Sequence, residues 1–406
     1  MSALGKLDAD NFISGNHKIV RNINRSAVLN LVRERQPVSR VVLSKLSDLN
    51  KSTVSSIVRE LLEEKLIYET RNGESTGGRK PILLQLNRQD CFIGAIDFDP
   101  NYTYVAIGDI EANILQKKTI KTENKHPEDF IRTCLLELLE LKAGLGCPNL
   151  KSIGISVPGI VDGASGKVFV APDLEWKNIN IKKIYKEVIF KNHHESVIIE
   201  NEANASALAE QWFGNALENN SNRVFISEGI GTGVIFEGKL VQGSYNLAGQ
   251  FGHTTIEADG RLCVCGNRGC WELYASNHAT VQRFYALKKK SFDGSPILEM
   301  QKIITAAFNG DEDAISAIRE TGRYLGIGIS NIIKGIDPAI VVLGGVITSA
   351  WDLIYPEIIK EIRSRVFFEQ NVSRKIIPTS LKERSSLVGA FTLAIKEIFS
   401  GYKITI

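Results

Sequence analysis

Gly252-His253 and, ten residues on, Cys263-Val264-Cys265-Gly266-Asn267-Arg268-Gly269-Cys270 form the most informative stretch of this 406-residue chain. One imidazole and three thiols within so short a segment suit a tetrahedral zinc ion, and the interspersed glycines let the backbone fold tightly around it. Four protein ligands, His253, Cys263, Cys265 and Cys270, would close the coordination shell. The expectation is therefore one structural zinc per chain rather than a catalytic metal with a bound water. The alternative is three buried free thiols beside a core histidine. Cys91, Cys134 and Cys147 are scattered and read as reduced bystanders. Clustered cysteines in a chain without a disulfide pattern fit a reducing compartment.

Outward toward the N-terminus, three helical patterns precede residue 66. The first, from His17 through Val32, places Ile19, Val20, Ile23, Ala27, Val28 and Leu31 at three- and four-residue steps, and Pro37 ends it. Ser39 is a suitable cap for a short helix over Arg40–Ser47. A third helix, about Ser52–Glu64, aligns Val54, Ile57, Val58, Leu61 and Leu62 on one face. Its other face opens with Lys51, Ser52, Thr53, Ser55, Ser56 and Arg59. Small hydrogen-bonding side chains with cations suit insertion into a major groove and neutralisation of phosphate. Two strands, about Leu66–Arg71 and Ile82–Leu86, then frame a wing. Its tip, Thr76-Gly77-Gly78-Arg79-Lys80-Pro81, carries two cations. Arg40, Arg79 and Lys80 complete the expected DNA-contacting set. A helical bundle with a merely solvated polar face is the alternative.

Charge agrees with that division. Residues 1–90 hold 15 Lys and Arg against 10 Asp and Glu, whereas the remainder holds 34 against 36. A basic module on a slightly acidic body points to a polyanionic partner for the module alone. At roughly 150 residues per domain the length predicts two or three domains. An apolar content of 43% and a charged content of 23% exclude a disordered, collagenous or coiled-coil chain. No run approaches the ~18 apolar residues of a membrane span. Met1–Asp8 has no apolar signal region, so a cytoplasmic protein with no membrane partner is expected.

Beyond Cys91, strands and helices alternate, which predicts α/β layers. Cys91–Phe98 and Tyr102–Asp109 read as a hairpin, Phe130–Lys142 as an amphipathic helix, and Ser152–Val157 and Val197–Glu200 as buried strands. Ala203–Trp212 reads as a helix. Val224–Ser227 and Val234–Phe236 read as strands separated by Gly229, Gly231 and Gly233. Ala339–Leu343 is a further strand, and Ser385–Phe399 a C-terminal helix.

Three blocks resemble the ROK family, which combines sugar kinases with sugar-responsive repressors. Gly249–Glu272 is similar to its cysteine-rich signature, Glu200-Asn201-Glu202-Ala203-Asn204-Ala205 to its sugar-site motif, and Ser156-Val157-Pro158-Gly159-Ile160-Val161-Asp162 to its proline-glycine loop. With the winged helix included, the resemblance covers nearly the whole chain and points to the repressor branch. It implies a winged helix-turn-helix (residues 1–88) followed by a two-lobed, actin/hexokinase-like body. The first lobe is expected over 89–205 with the C-terminal helix 385–406, and the second, with the zinc knuckle, over 206–384. The resemblance further implies that Asn201, Glu202, His253 and Glu272 bind sugar hydroxyls and that Gly159 lines the pocket. Gln250 stands where the family has a carboxylate. Such a repressor is expected to bind palindromic operator DNA as a homodimer or larger assembly and to leave it when a sugar binds, with xylose favoured over glucose or an aminosugar.

Two departures argue against a kinase. The family's phosphate-cradling turn, rich in glycine, is replaced by Asp97-Phe98-Asp99-Pro100-Asn101, where Asp99 repels phosphate and Pro100 lacks a donor N–H. The kinases' catalytic Asp is Glu202 here. Its extra methylene displaces the carboxylate by roughly an ångström, enough to cost about two orders of magnitude in a positioned reaction. A zinc-sensing regulator fits poorly with a closed four-ligand shell.

Overall fold

The computed structural model describes residues 17–70, 81–123, 126–147, 150–188, 195–214, 221–292, 294–367 and 374–400. The expected wing-tip contacts Arg79 and Lys80 lie outside the described residues, as do Met1–Asp8 and residues 401–406. The chain forms two compact units.

The first unit takes the described residues up to Phe92, Asp109–Glu111 and the end of the C-terminal helix from Ile395. Helix α1 (His17–Arg35), the two-residue strand β1 (Val38–Ser39), α2 (Arg40–Ser47), α3 (Lys51–Glu63), β2 (Ile67–Thr70) and β3 (Leu83–Leu86) follow in order. Ser39 caps α2 by accepting from the Val42 amide, and Asn50 Oδ1 caps α3 by accepting from the Thr53 amide at 2.8 Å. Val28, Leu29, Val32, Leu43, Val54, Ile57, Val58, Leu61 and Leu84 form the core. The expected two-stranded wing has a third strand: β1 pairs with β3, which pairs with β2, all antiparallel. Arg21 ties α1 to α3 through Glu60 at 2.7 Å. This is a winged helix-turn-helix.

The second unit contains two five-stranded sheets. The first sheet uses β4 (Phe92–Asp97), β5 (Tyr102–Asp109), β6 (Ile114–Lys121), β7 (Leu150–Val157) and, after the three-stranded sheet of β8 (Ile160–Asp162), β9 (Lys167–Ala171) and β10 (Trp176–Asn180), strand β11 (Ser196–Asn201). Strand order is β11-β7-β4-β5-β6, with β11 parallel to β7 from Ser196↔Ser152 to Asn201↔Val157. Helices α4 (Pro127–Gly144) and α5 (Ile181–Val188) belong to this lobe.

Helix α6 (Glu202–Phe213) leaves β11 directly and leads to the second sheet. That sheet comprises β12 (Arg223–Ile226), β13 (Thr232–Phe236), β14 (Lys239–Leu240) and, after helices α7 (Glu272–Ala275), α8 (Asn277–Leu287), α9 (Pro296–Phe308) and α10 (Glu312–Ile336), strand β15 (Ile340–Leu343). Helix α11 (Trp351–Arg365), β16 (Lys375–Pro378) and α12 (Ser385–Phe399) complete the chain, and the strand order is β14-β13-β12-β15-β16. Ala205 and Leu208 of α6 and Leu393 of α12 share a core with Phe225, Ile235, Ile340 and Val342, so both helices pack onto the second sheet. A larger core behind that sheet joins α8–α11 through Val281, Ile303, Ile329, Ile332, Ile354 and Ile358. The body is thus a two-lobed α/β structure.

Candidate functional site

The cysteine knuckle closes as its spacing predicts. Donor atoms of His253, Cys263, Cys265 and Cys270 all lie within 4.8 Å of one another. Cys265 and Cys270 sulfurs are 3.7 Å apart, and Cys263 Sγ is 3.6 Å from His253 Nδ1. A tetrahedral ion with ~2.3 Å bonds to sulfur sets neighbouring sulfurs about 3.8 Å apart, so the donor set fits such an ion. The backbone makes this possible at Gly269, whose φ is +67° and whose missing Cβ would stand 1.7 Å from the Glu257 carbonyl oxygen. The next residue but one, Trp271, is fully buried, and its indole N–H donates to the Tyr324 carbonyl of α10 at 2.7 Å. Gly328 makes room for that indole: a Cβ there would fall 1.9 Å from it. Glu272 follows at the start of α7. Its Oε1 is 2.9 Å from Cys263 Sγ and 3.5 Å from His253 Nδ1, so the carboxylate is turned toward the knuckle.

A second group of predicted residues gathers where α6 leaves β11. Asn201 is the α6 cap: its Oδ1 accepts from the Ala203 amide at 2.9 Å and the Asn204 amide at 3.2 Å. Its Nδ2 donates to the Gly159 carbonyl at 2.9 Å and to Glu202 Oε2 at 3.1 Å. Gly159 is required there, with φ +95° and the Val170 carbonyl 2.1 Å from where a Cβ would sit. Burial pushes the Glu202 carboxyl up to about 7, and the nearby Asp97 and Asp173 add to the shift. Glu202 Oε1 lies against Gly231, in the turn between β12 and β13. The neighbouring Thr232 accepts from the Phe251 amide at 3.2 Å, and Gln250, exposed, precedes the short 3-10 turn Phe251–His253. The two groups thus meet the same β12–β13 turn, Glu202 at Gly231 and the Gln250–His253 segment at Thr232.

Sequence reasoning missed the residues behind Asn201. Buried Glu200 accepts from the Asn201 amide at 2.9 Å and from Asn204 Nδ2 at 3.1 Å, and Gln242 of the second lobe also donates to it. It also missed the partners of the Asp97–Asn101 turn. Asp99 Oδ1 accepts from the Asn101 amide at 2.9 Å and the Tyr102 amide at 3.2 Å, so this turn turns its own donors inward. Arg384 Nε donates to Asp97 at 2.9 Å and Arg384 Nη2 to Asp99 at 2.7 Å. No local pattern announces a contact spanning nearly 290 residues.

In the first unit, Lys51, Ser52, Ser56 and Arg59 are exposed on α3, while Thr53 and Ser55 are half-buried beside them. Ser52 Oγ donates to Asn50 at 2.7 Å. Arg40 is half-buried, and its Nη2 donates to Glu69 of β2 at 2.6 Å. No helix among the described residues is long and apolar enough to cross a membrane.

Comparison with known proteins places this geometry. The model of the ROK family matches residues 93–397. The xylose repressor of Bacillus subtilis is 34% identical over 385 residues, covering 93% of this chain and 96% of that protein. Among solved structures, a ROK family transcriptional regulator described as a homologue of the Escherichia coli MLC protein superposes with a TM-score of 0.79 at 27% identity, covering 94% of this chain and 97% of that one. A ROK family glucokinase from Streptomyces griseus, in complex with glucose and AMPPNP, gives 0.64 at 27% identity, covering 75% of this chain and 99% of that one.

Proposed function

From the premise that this chain belongs to the ROK family, we propose that it is a sugar-responsive transcriptional repressor whose inducer is xylose. One observation carries the reading. Repressor relatives align with the winged helix and the body together, whereas the glucokinase is spanned almost whole by three-quarters of this chain. The α3 face, with Lys51, Ser52, Thr53, Ser55, Ser56 and Arg59, reads the major groove of a palindromic operator. Arg79 and Lys80 reach the flanking backbone, and a homodimer supplies the second half-site. Arg40, steadied by Glu69 of β2, adds a phosphate contact beside those of Arg79 and Lys80.

Gly159, Asn201, Glu202, Gln250, His253 and Glu272 form the sugar site. A sugar presents a ring of donors and acceptors, and a site that pairs each of them rejects analogues lacking one. Gln250 supplies donors as well as an acceptor where a carboxylate would only accept. His253, Cys263, Cys265 and Cys270 hold one zinc ion, which braces the segment bearing His253 and Glu272. The thiol ligands suit the reducing cytoplasm.

The protein acts by binding and not by phosphoryl transfer. Asp99 takes up the amides of Asn101 and Tyr102, and Pro100 has none, where a phosphate would need donors. Sugar acts on DNA only by preferring one arrangement of the body over another. A thermal-shift screen of pentoses and hexoses tests the assignment. Xylose at about 100 times its dissociation constant should stabilise the protein by about 2.7 kcal/mol. In a gel shift the same sugar should release the operator. Release by an aminosugar or glucose, with xylose silent, would reassign the inducer.

A further inference from the structure

Arg384 stands between the lobes. Two arms of its guanidinium are short and run to first-lobe carboxylates, Asp97 at 2.9 Å and Asp99 at 2.7 Å. The third is long: Nη1 lies 3.5 Å from Oε1 of Glu228, which follows β12 in the second lobe. Glu228 is fixed there by its other oxygen, which accepts from Asn277 Nδ2 at 3.1 Å and the Val346 amide at 3.4 Å. Asp97 is fully buried and also accepts from Ser386 Oγ at 2.7 Å. A buried carboxylate stripped of its cation is costly, so Arg384 must stay with Asp97 through any movement of the lobes. The weakest of its contacts is the 3.5 Å arm to Glu228.

We propose that Arg384 and Glu228 are an inter-lobe latch that holds the body in its DNA-retaining arrangement. This inference rests on the sugar-responsive reading above. In the same arrangement Asn201 donates to Gly159 and Glu202, so groups assigned to the sugar satisfy one another. A sugar that takes over those bonds favours the other arrangement and works against the latch. The latch therefore sets how much sugar is needed for release and leaves the choice of sugar to other residues.

Glu228→Gln tests this in the full-length protein, because the amide oxygen keeps the Asn277 and Val346 bonds while the charge is lost. Sugar affinity, measured by calorimetry with xylose, should tighten about 3- to 5-fold at low salt, the range of a partly exposed ion pair. The gap should shrink toward 0.5 M salt as screening removes the pair. If the sugar-free protein is about 99:1 in favour of the DNA-retaining state, a fivefold shift leaves about 95% in it, so operator affinity without sugar should barely change. Arg384→Lys, which keeps a cation for Asp97 but cannot span all three carboxylates, should act in the same direction, and the double variant should add little. Unchanged sugar affinity in Glu228→Gln, or a change insensitive to salt, overturns the latch. Amide hydrogen exchange without sugar tests it separately. Exchange at Ser227–Ile230 and Val346–Thr348 should be faster in the variant, and unchanged protection there also overturns it. Faster exchange in a protein whose wild type binds no sugar would instead overturn the sugar reading and leave the latch standing.

Discussion

One pair of substitutions separates the capping role of Asn201 from the sugar-binding role proposed for it. Asn201→Ala removes the acceptor that caps α6 and the amide that holds Gly159 and Glu202. Losing such a cap costs about 1 kcal/mol, and each lost side-chain hydrogen bond about as much, giving roughly 2–3 kcal/mol in all. Asn201→Ser keeps a capping oxygen but has no amide and is too short for the Gly159 carbonyl. Its cost should be about 1–2 kcal/mol, less than that of Asn201→Ala by the value of the cap. Both variants lose the sugar contact equally. Moving the protein from 99:1 to 1:99 requires about 5.5 kcal/mol of differential binding. A hydrogen bond between neutral partners such as this amide and a sugar hydroxyl supplies roughly 0.5–1.5 kcal/mol of that. What remains would leave between about a fiftieth and a tenth of the protein on its operator at saturating sugar, against about one-hundredth for the wild type. Urea denaturation measures the first effect, and fluorescence anisotropy on labelled operator with sugar titrated in measures the second. If Asn201→Ser released DNA at the wild-type sugar concentration, Asn201 would be a helix cap and nothing more.

Three further outcomes are expected. Elemental analysis should find one zinc per chain, and Gly269→Ala should abolish it and lower the thermal midpoint, since the added methyl collides with the Glu257 carbonyl; a variant that retains full zinc contradicts the assignment. Native Glu202 keeps its proton to about pH 7 while the unfolded chain releases it near the ordinary carboxylate value, so its contribution to stability is full at low pH and is lost as pH rises through 7. Glu202→Gln should therefore gain up to about 3 kcal/mol over the wild type between pH 5 and pH 8, and parallel pH profiles would refute this. Arg59→Ala should weaken binding to all sequences and reduce the salt slope by about one, whereas Thr53→Ala should relax sequence choice; the reverse pattern in salt-dependent gel shifts would exchange their roles.

Much of this fold is legible in local chemistry. Arg40–Ser47 and Ser385–Phe399 form helices over the ranges their patterns predict, the first with Ser39 as its cap. The knuckle is legible because its ligands are close in sequence. Strand β6 was not, because its exposed lysines hide the alternation of an edge strand. Helix α10 was obscured by Gly322, Gly326 and Gly328, which look like breaks. They are points of close approach, to Ile354, Ile358 and Trp271. Arg384 was invisible for a different reason: its partners are set by topology and not by spacing. Asn201 is the mixed case, since an amide that caps a helix and an amide that binds sugar look the same in a sequence.

The seat of Trp271 on α10 has a consequence for how the protein tolerates change. The indole is anchored between the last cysteine of the knuckle and Glu272, and it fits only because position 328 has no side chain. Any other residue there must push the ring out and drag both neighbours with it. Such an allele would present as metal loss or as a repressor deaf to its inducer, although the altered residue touches neither ligand. Drift in this protein is therefore constrained on the buried side of a helix, and inducer-blind isolates should include lesions at position 328, which is not among the residues proposed to touch the sugar.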